Sequence, residues 1–414
     1  MKKLKLLATI FFSGIVLLLS NSCKKTTQAS TALGLPTVTT VGLASTTPTA
    51  AQFAGDVTSD GNQGLSAIGF CYSSTNTMPM ITTDAYTTDG VLTGGFTGTL
   101  LGLYENTTYY VRAYATNPTG TAYGNVIAFQ TAAGWVGQVS GTTNDLKGVY
   151  FIDADTGYTV GNSGTILKTT NSGNTWLSKT SGTTNNLTSI YFTKASSGCA
   201  VGNNGTILKT TNNGNTWIAQ TSGITTALNS VCFTDTSNGY VVGNAGVILK
   251  TSDGGNTWAM QNSGVSTTLN SVCFVNSTTG YAVGNGGVIL TTNNGGNTWI
   301  TQSSGTTNLL NSVYFTNSNT GYAVGVGGVI LTTTNGGATW KVGASGYGNE
   351  LQSVYFTDAN NGYIVGYGAS TFSTNNGGAS WVQQINGTSN ALFAVYTTTL
   401  HAYAVGAAGT IIHY

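Results

Sequence analysis

From residue 135 to Tyr414 the chain consists of short apolar runs separated by Gly, Asn, Ser and Thr. One stretch, Leu187 to Gly223, reads LTSIYFTKASSGCAVGNNGTILKTTNNGNTWIAQTSG and holds four such runs: LTSIYF, GCAVG, GTILKT and TWIAQ. Alternation of apolar and polar residues, with β-branched enrichment, predicts strands, and no stretch after the first 23 residues carries a convincing helical period. Between the second and third runs stand NNG, NAG or NGG, residue types that tolerate the positive φ of tight hairpins. The predicted unit is therefore four antiparallel strands.

The unit recurs with a fixed step of 41 residues. All seven tryptophans obey it, at Trp135, Trp176, Trp217, Trp258, Trp299, Trp340 and Trp381. So do Leu146, Leu187, Leu228, Leu269, Leu310, Leu351 and Leu392, and Gly161, Gly202, Gly243, Gly284, Gly325 and Gly366. A period in the low forties with four short strands per unit is the signature of a β-propeller. Seven copies of the first three strands occur, the last spanning Leu392–Tyr414 and reaching GTIIHY where a tryptophan-bearing fourth strand would follow. The missing strand stands at the other end of the region, as Trp135-Val136-Gly137-Gln138-Val139. The sequence thus predicts an all-β chain with a seven-bladed propeller over residues 132–414, its last blade completed by residues 135–139. Such closure removes exposed sheet edges.

The turns before six of the tryptophans, TTNSGNTW (169–176), TTNNGNTW (210–217), TSDGGNTW (251–258), TNNGGNTW (292–299), TTNGGATW (333–340) and TNNGGASW (374–381), resemble the Asp-box. Only Asp253 keeps the aspartate. A short polar side chain there is expected to hydrogen-bond its own turn, with positive φ at the glycine two residues on, which makes the motif a folding device and not a ligand site. Together with GY-x-VG-x-x-G-x-I, the repeat resembles the photosystem II assembly-factor-like propellers, over residues 135–414. That resemblance implies a non-catalytic binding or assembly scaffold. The arginine-rich surface of the photosynthetic members is absent, so their thylakoid partner is not carried over.

Residues 36–131 lack the 41-residue step. Leu103-Tyr104-Glu105-Asn106-Thr107-Thr108-Tyr109, followed by YVRAYATN, resembles the tyrosine corner and penultimate strand of a fibronectin type III domain, with Glu105 where that family usually has proline. Alternating Tyr109, Val111, Ala113 and Ala115 predict a strand with one buried face. The resemblance implies a β-sandwich serving as a spacer or interaction module. Ahead of it, residues 24–35 are small and polar, as a flexible tether would be. Residues 1–23 read as an export signal: Lys2, Lys3 and Lys5 precede an apolar stretch, Leu6–Leu19, too short for a comfortable membrane span. Leu-Ser-Asn-Ser-Cys then resembles a bacterial lipoprotein processing site of the Bacteroidetes type, with Cys23 as the lipid-bearing residue. The expected location is the outer membrane or cell surface, with secretion or a periplasmic location as the alternatives.

Composition narrows the function. Charged residues make up 6% of the chain and the net charge is +1; Arg112 is the sole arginine, so the basic clustering that nucleic acid requires is missing. A sialidase needs three arginines around its substrate carboxylate, which the propeller region lacks. Among other acids, Asp153, Asp235 and Asp358 occupy one turn register, and only Asp145 and Glu350 precede first strands as a conceivable glycosidase pair. The two histidines, His401 and His413, have no carboxylate or thiol neighbour in the sequence, so no catalytic residue, metal site or cofactor is expected. Cys71, Cys199, Cys232 and Cys273 read as thiols replacing core residues, although a Cys232–Cys273 bridge stays open. Lys168, Lys209 and Lys250 recur on three successive units as a solvated face or a weak stripe for an anionic glycan. Departures from the repeat single out Tyr347, Glu350 and Tyr367 as ligand-binding candidates, since tyrosines suit protein or sugar surfaces. The expected function is non-enzymatic recognition of a protein or glycan, or assembly of a complex, at the bacterial cell envelope by a monomer. The alternative is a glycan-active enzyme other than a sialidase.

Overall fold

The computed structural model describes residues 32–346 and 348–414, and every regular element among them is a strand or a single 3-10 turn. Among these residues no helix is long and apolar enough to cross a membrane. The proposed lipidation residue Cys23 and the export segment lie outside the described residues.

Two antiparallel sheets form the N-terminal part. One pairs Thr37–Thr46, Ala50–Ser59 and Gly94–Leu101; the other is ordered Ala85–Tyr86, Ala67–Ser73, Thr108–Asn117, Gly120–Tyr123, with Ile127–Gln130 also on Thr108–Asn117. Phe53, Phe70, Leu100 and Val111 are fully buried between them. The Tyr109 hydroxyl accepts the Tyr104 amide at 3.0 Å, the local tie that a tyrosine corner makes. Tyr109, Val111, Ala113 and Ala115 face the core as the alternation predicts, yet Arg112 and Tyr114 on the other side are buried too. Arg112 donates from Nε to the Pro79 carbonyl at 2.5 Å and lays its guanidinium over the Tyr123 ring at 4.1 Å.

The repeats build seven four-stranded antiparallel sheets among the described residues. Sheet one is Leu146–Phe151, Gly157–Gly161, Ile166–Thr169 and Leu177–Lys179. Sheet seven takes Leu392–Thr397, Ala402–Gly406 and Ile411–His413 from the end of the chain and Val136–Gln138 from before sheet one, with His413 opposite Val136. The first strand of each sheet packs on that of the next, and Leu392–Thr397 packs on Leu146–Phe151, so the sheets form a closed ring. The glycine lattice follows from crowding: a Cβ on Gly161 would sit 2.0 Å from the Asp145 carbonyl oxygen.

Aromatic contacts brace each sheet internally, and hydrogen bonds join it to the next. Each tryptophan of sheets one to six meets the first-strand phenylalanine of its own sheet edge-on, as Trp217 does Phe192 at 6.0 Å and 82°. Second-strand tyrosines reach the next sheet's Asp-box-like turn, Tyr240 to the Gly295 carbonyl at 2.7 Å and Tyr403 to Ser172 at 3.1 Å across the closure. Lys168 and Lys250 donate to carbonyls of the same turns, Asn213 at 2.9 Å and Gly295 at 2.6 Å, and Lys209 to Asn256 Oδ1 at 2.7 Å. The lysine series is therefore an inter-sheet fastening. It corrects the expectation of a solvated or glycan-facing stripe, and Lys168 is only 8% exposed.

Candidate functional site

One face of the ring carries the loops entering the first strands and the turns between second and third strands. One residue inside each first strand, the 41-residue step gives Lys147, Thr188, Asn229, Asn270, Asn311, Gln352 and Phe393. Four of these clamp the next sheet. Thr188 Oγ1 donates to the Leu228 carbonyl at 2.7 Å, and the side-chain amides of Asn229, Asn270 and Asn311 donate to the carbonyls of Leu269, Leu310 and Leu351 at 2.9, 2.8 and 2.8 Å. A short amide suffices because first strands lie side by side, and it satisfies a carbonyl that would otherwise be orphaned.

Sheets six, seven and one depart from this arrangement. Gln352 donates to Glu350 Oε1 at 2.7 Å, an atom that also accepts from Asn311 at 3.1 Å. Phe393 cannot donate; its ring meets Tyr367 edge-on at 5.9 Å and lies 3.4 Å from the Lys147 ammonium. Lys147 is paired with Asp145 at 3.1 Å. Burial opposes the charge on Asp145, but the Ala408 amide at 3.1 Å and the Lys147 ammonium outweigh it and hold the carboxyl below its usual range.

The structure thus brings two of the sequence candidates together: the Tyr367 amide donates to the Glu350 carbonyl at 2.9 Å, and Tyr367 keeps 45% of its surface exposed. Tyr347 lies outside the described residues. Reading loops alone passes over Lys147, Gln352 and Phe393. Their signal is present in the chain, as the loss of Asn or Thr at one register of the lattice. The site is a half-exposed aromatic pair flanked by a carboxylate and an ammonium, an arrangement suited to holding a segment of chain or a sugar. Asp145 and Glu350, the conceivable acid pair, are both tied to neighbouring side chains.

Deeper in the ring, Tyr150, Tyr191, Cys232, Cys273, Tyr314, Tyr355 and Tyr396 share one first-strand register, with Tyr150 and Tyr396 centroids 5.0 Å apart. Cys232 and Cys273 are unbridged and half-buried, and Cys71 and Cys199 are unbridged and buried. Burial pushes the Cys232 thiol up to about 12 and that of Cys273 to about 11, so neither is a nucleophile at neutral pH.

The histidines require a correction. The sequence left them without a carboxylate neighbour, but the tertiary fold places Glu105 of the N-terminal sandwich beside both His401 and His413. His413 Nδ1 lies 3.6 Å from Glu105 Oε1. Burial raises the Glu105 carboxyl to about 7, and burial together with the nearby His401 lowers His413 to about 4. At neutral pH the imidazole of His413 is uncharged, and the contact is not an ion pair.

Overlapping segments at residues 127–222, 179–259, 210–303, 259–346 and 297–385 match the family model described as photosynthesis system II assembly factor YCF48. Among solved structures, "YCF48 bound to D1 peptide" is similar at 19% identity and TM-score 0.60, covering 68% of this chain and 95% of that one. "YCF48 from Cyanidioschyzon merolae" is similar at 18% identity and TM-score 0.58, covering 68% and 98%. The WD40 beta propeller domain of Doa1 is similar at 12% identity and TM-score 0.57, covering 67% and 96%. At these identities the structural likeness establishes the fold, a β-propeller. No curated protein matches the sequence.

Proposed function

The chain belongs to the photosynthesis system II assembly factor YCF48 family, whose model matches it between residues 127 and 385, and from that premise we propose that it is a non-enzymatic binding scaffold for a protein partner. The ring is read as a seven-bladed propeller and the partner as a segment of polypeptide laid across the mouth at Glu350, Tyr367 and Phe393. One observation carries the reading: the clamp register changes on three consecutive sheets and leaves an exposed aromatic, a carboxylate and an ammonium on the same face. A relative with this fold is described as bound to a D1 peptide, which favours a peptide over a glycan. The sandwich of residues 36–131 is read as a fibronectin type III-like spacer and residues 24–35 as a tether. Cys23 is the proposed lipid attachment point, putting the propeller at the outer membrane or cell surface.

The test is selection of a displayed peptide library on the full chain, with glycan capture and glycan hydrolysis measured in parallel. Peptides enriched on the unaltered chain are expected to lose at least tenfold in affinity on Tyr367→Ala or Phe393→Ala. Hydrolysis abolished by Glu350→Gln, or peptide binding indifferent to all mouth substitutions, would overturn the proposal. Replacing Cys23 by Ala is expected to abolish incorporation of labelled fatty acid in the native host.

A further inference from the structure

On the face opposite the mouth, where first-to-second and third-to-fourth strand connections lie, sheet seven and the N-terminal sandwich enclose a cleft of about 740 Å³. The chain has only two histidines, and both line this cleft, together with one of its two glutamates. One ligand-capable atom from each of Glu105, His401 and His413 lies within 4.8 Å of the others, and the imidazole centroids are 5.7 Å apart.

The polar atoms at this point are poorly matched by protein partners. Glu105 Oε2 and His413 Nδ1 are buried without a hydrogen bond. A buried carboxylate with no donor is costly, and groups left this way in a native fold call for a water or an ion. His401 Nδ1 lies 3.3 Å from the main-chain oxygen of Tyr414. A proton on that nitrogen is held by the oxygen, leaving Nε2 with its lone pair free. This is the outer hydrogen bond that metal-bound histidines make. His413 is fixed by stacking on Tyr403 at 18° and by the pairing of its strand with Val136–Gln138. Glu105 stands where the resembling sandwich family usually has proline, a residue with no ligand atom.

We propose that Glu105, His401 and His413 bind a divalent transition metal of the zinc class, with the remaining coordination position open to the cleft. Two imidazoles and one carboxylate form a set that zinc accepts, and imidazole nitrogen selects against calcium and magnesium, which take oxygen. Ligand atoms around a tetrahedral zinc lie about 3.3 Å apart, so the 3.6 Å between His413 Nδ1 and Glu105 Oε1 needs only a slight contraction. The ion would join the sandwich to the sheet that closes the ring. This site is independent of the mouth.

The experiment uses the full chain without an affinity tag, stripped of metal and titrated with Zn(II) by calorimetry and with Co(II) by visible absorption. One equivalent is expected to bind, with the absorption of a nitrogen- and oxygen-ligated cobalt. Glu105→Gln, His401→Gln and His413→Gln are each expected to weaken binding at least tenfold. Glu105→Pro, the residue usual in the sandwich family, should do the same with the metal-free thermal midpoint retained. Tyr367→Ala is expected to keep the metal, so failure at the mouth and failure here are distinguishable. Absence of stoichiometric binding by the unaltered chain, or undiminished binding by all four cleft variants, would overturn the site. So would a thiolate charge-transfer band.

Discussion

Sheets two to five and the sector formed by sheets six, seven and one descend from the same 41-residue unit but use it differently. In the former, Thr188, Asn229, Asn270 and Asn311 clamp a neighbouring carbonyl. A second stitch lies one residue further in and runs on through sheet six, where Ser189, Ser230, Ser271, Ser312 and Ser353 accept the amides of Val231, Val272, Val313, Val354 and Val395 at 3.2–3.3 Å. Between sheets seven and one, Phe393 and Ala394 occupy these two registers, and between sheets one and two they are Lys147 and Gly148. Both stitches are lost together only where sheet one meets sheets seven and two, and there an aromatic, a cation and a borrowed strand stand in their place. The comparison teaches that repeat departures cluster where the ring closes, and that the same departures free side chains to meet a partner.

The largest expected effect tests the closure itself. Trp135 is 4% exposed and meets Tyr363 and Tyr414 edge-on at 5.6 and 5.8 Å. Trp135→Ala is expected to cost about 3–5 kcal/mol in urea denaturation; a loss below about 1 kcal/mol would mean that the borrowed strand does not lock the ring. Next comes the clamp. Asn270→Ala strands the Leu310 carbonyl and should cost about 1–3 kcal/mol, whereas Gln352→Ala, outside the clamp sector, should stay within about 0.5 kcal/mol. Equal costs would erase the distinction between sectors. Phe393→Ala should also move stability little compared with Asn270→Ala while weakening a selected peptide by about 1.4 kcal/mol or more, a tenfold change in Kd.

The smallest effect belongs to the Asp-box-like turns. The Asp253 carboxylate accepts from the Thr257 hydroxyl and amide and from the Thr251 hydroxyl at 2.6, 2.9 and 2.8 Å, which holds its carboxyl well below the usual carboxylate range. A lowered folded value stabilises above the unfolded value of about 3.9 and is lost as pH falls through the folded one. Asn171 makes the matching bonds to Thr175 without a titrating group, at 3.0 and 3.1 Å. Asp253→Asn should lower the thermal midpoint slightly at pH 7 and converge with the unaltered chain in acid, which flattens the decline between the two. An unaltered acid limb would show that the turn's carboxylate contributes nothing to it.

What the sequence disclosed is what the lattice repeats. Trp217 and Leu228 announce their roles because equivalent residues do the same work in the other units, and Val136–Gln138 could be matched to Ile411–His413 because each supplies what the other lacks. The mouth was half legible: Glu350 and Tyr367 stand out in loops, but Phe393 sits inside a strand where an apolar residue raises no question. Lys168, Lys209 and Lys250 looked solvated because their acceptors are main-chain oxygens or amides on the next sheet, which no side-chain pattern reveals. Glu105 was visible only as a departure from proline in one motif, and its meeting with His413 joins parts of the chain some 300 residues apart.

The borrowed strand also decides how the molecule would bear a load. The chain leaves the sandwich and at once becomes Val136–Gln138, whose only ladder is with Ile411–His413. With the anchor proposed at Cys23, a pull from the membrane arrives at this three-residue ladder before any other part of the ring. Tension would peel the latch first, and a metal shared by Glu105 and His413 would carry the strain around it.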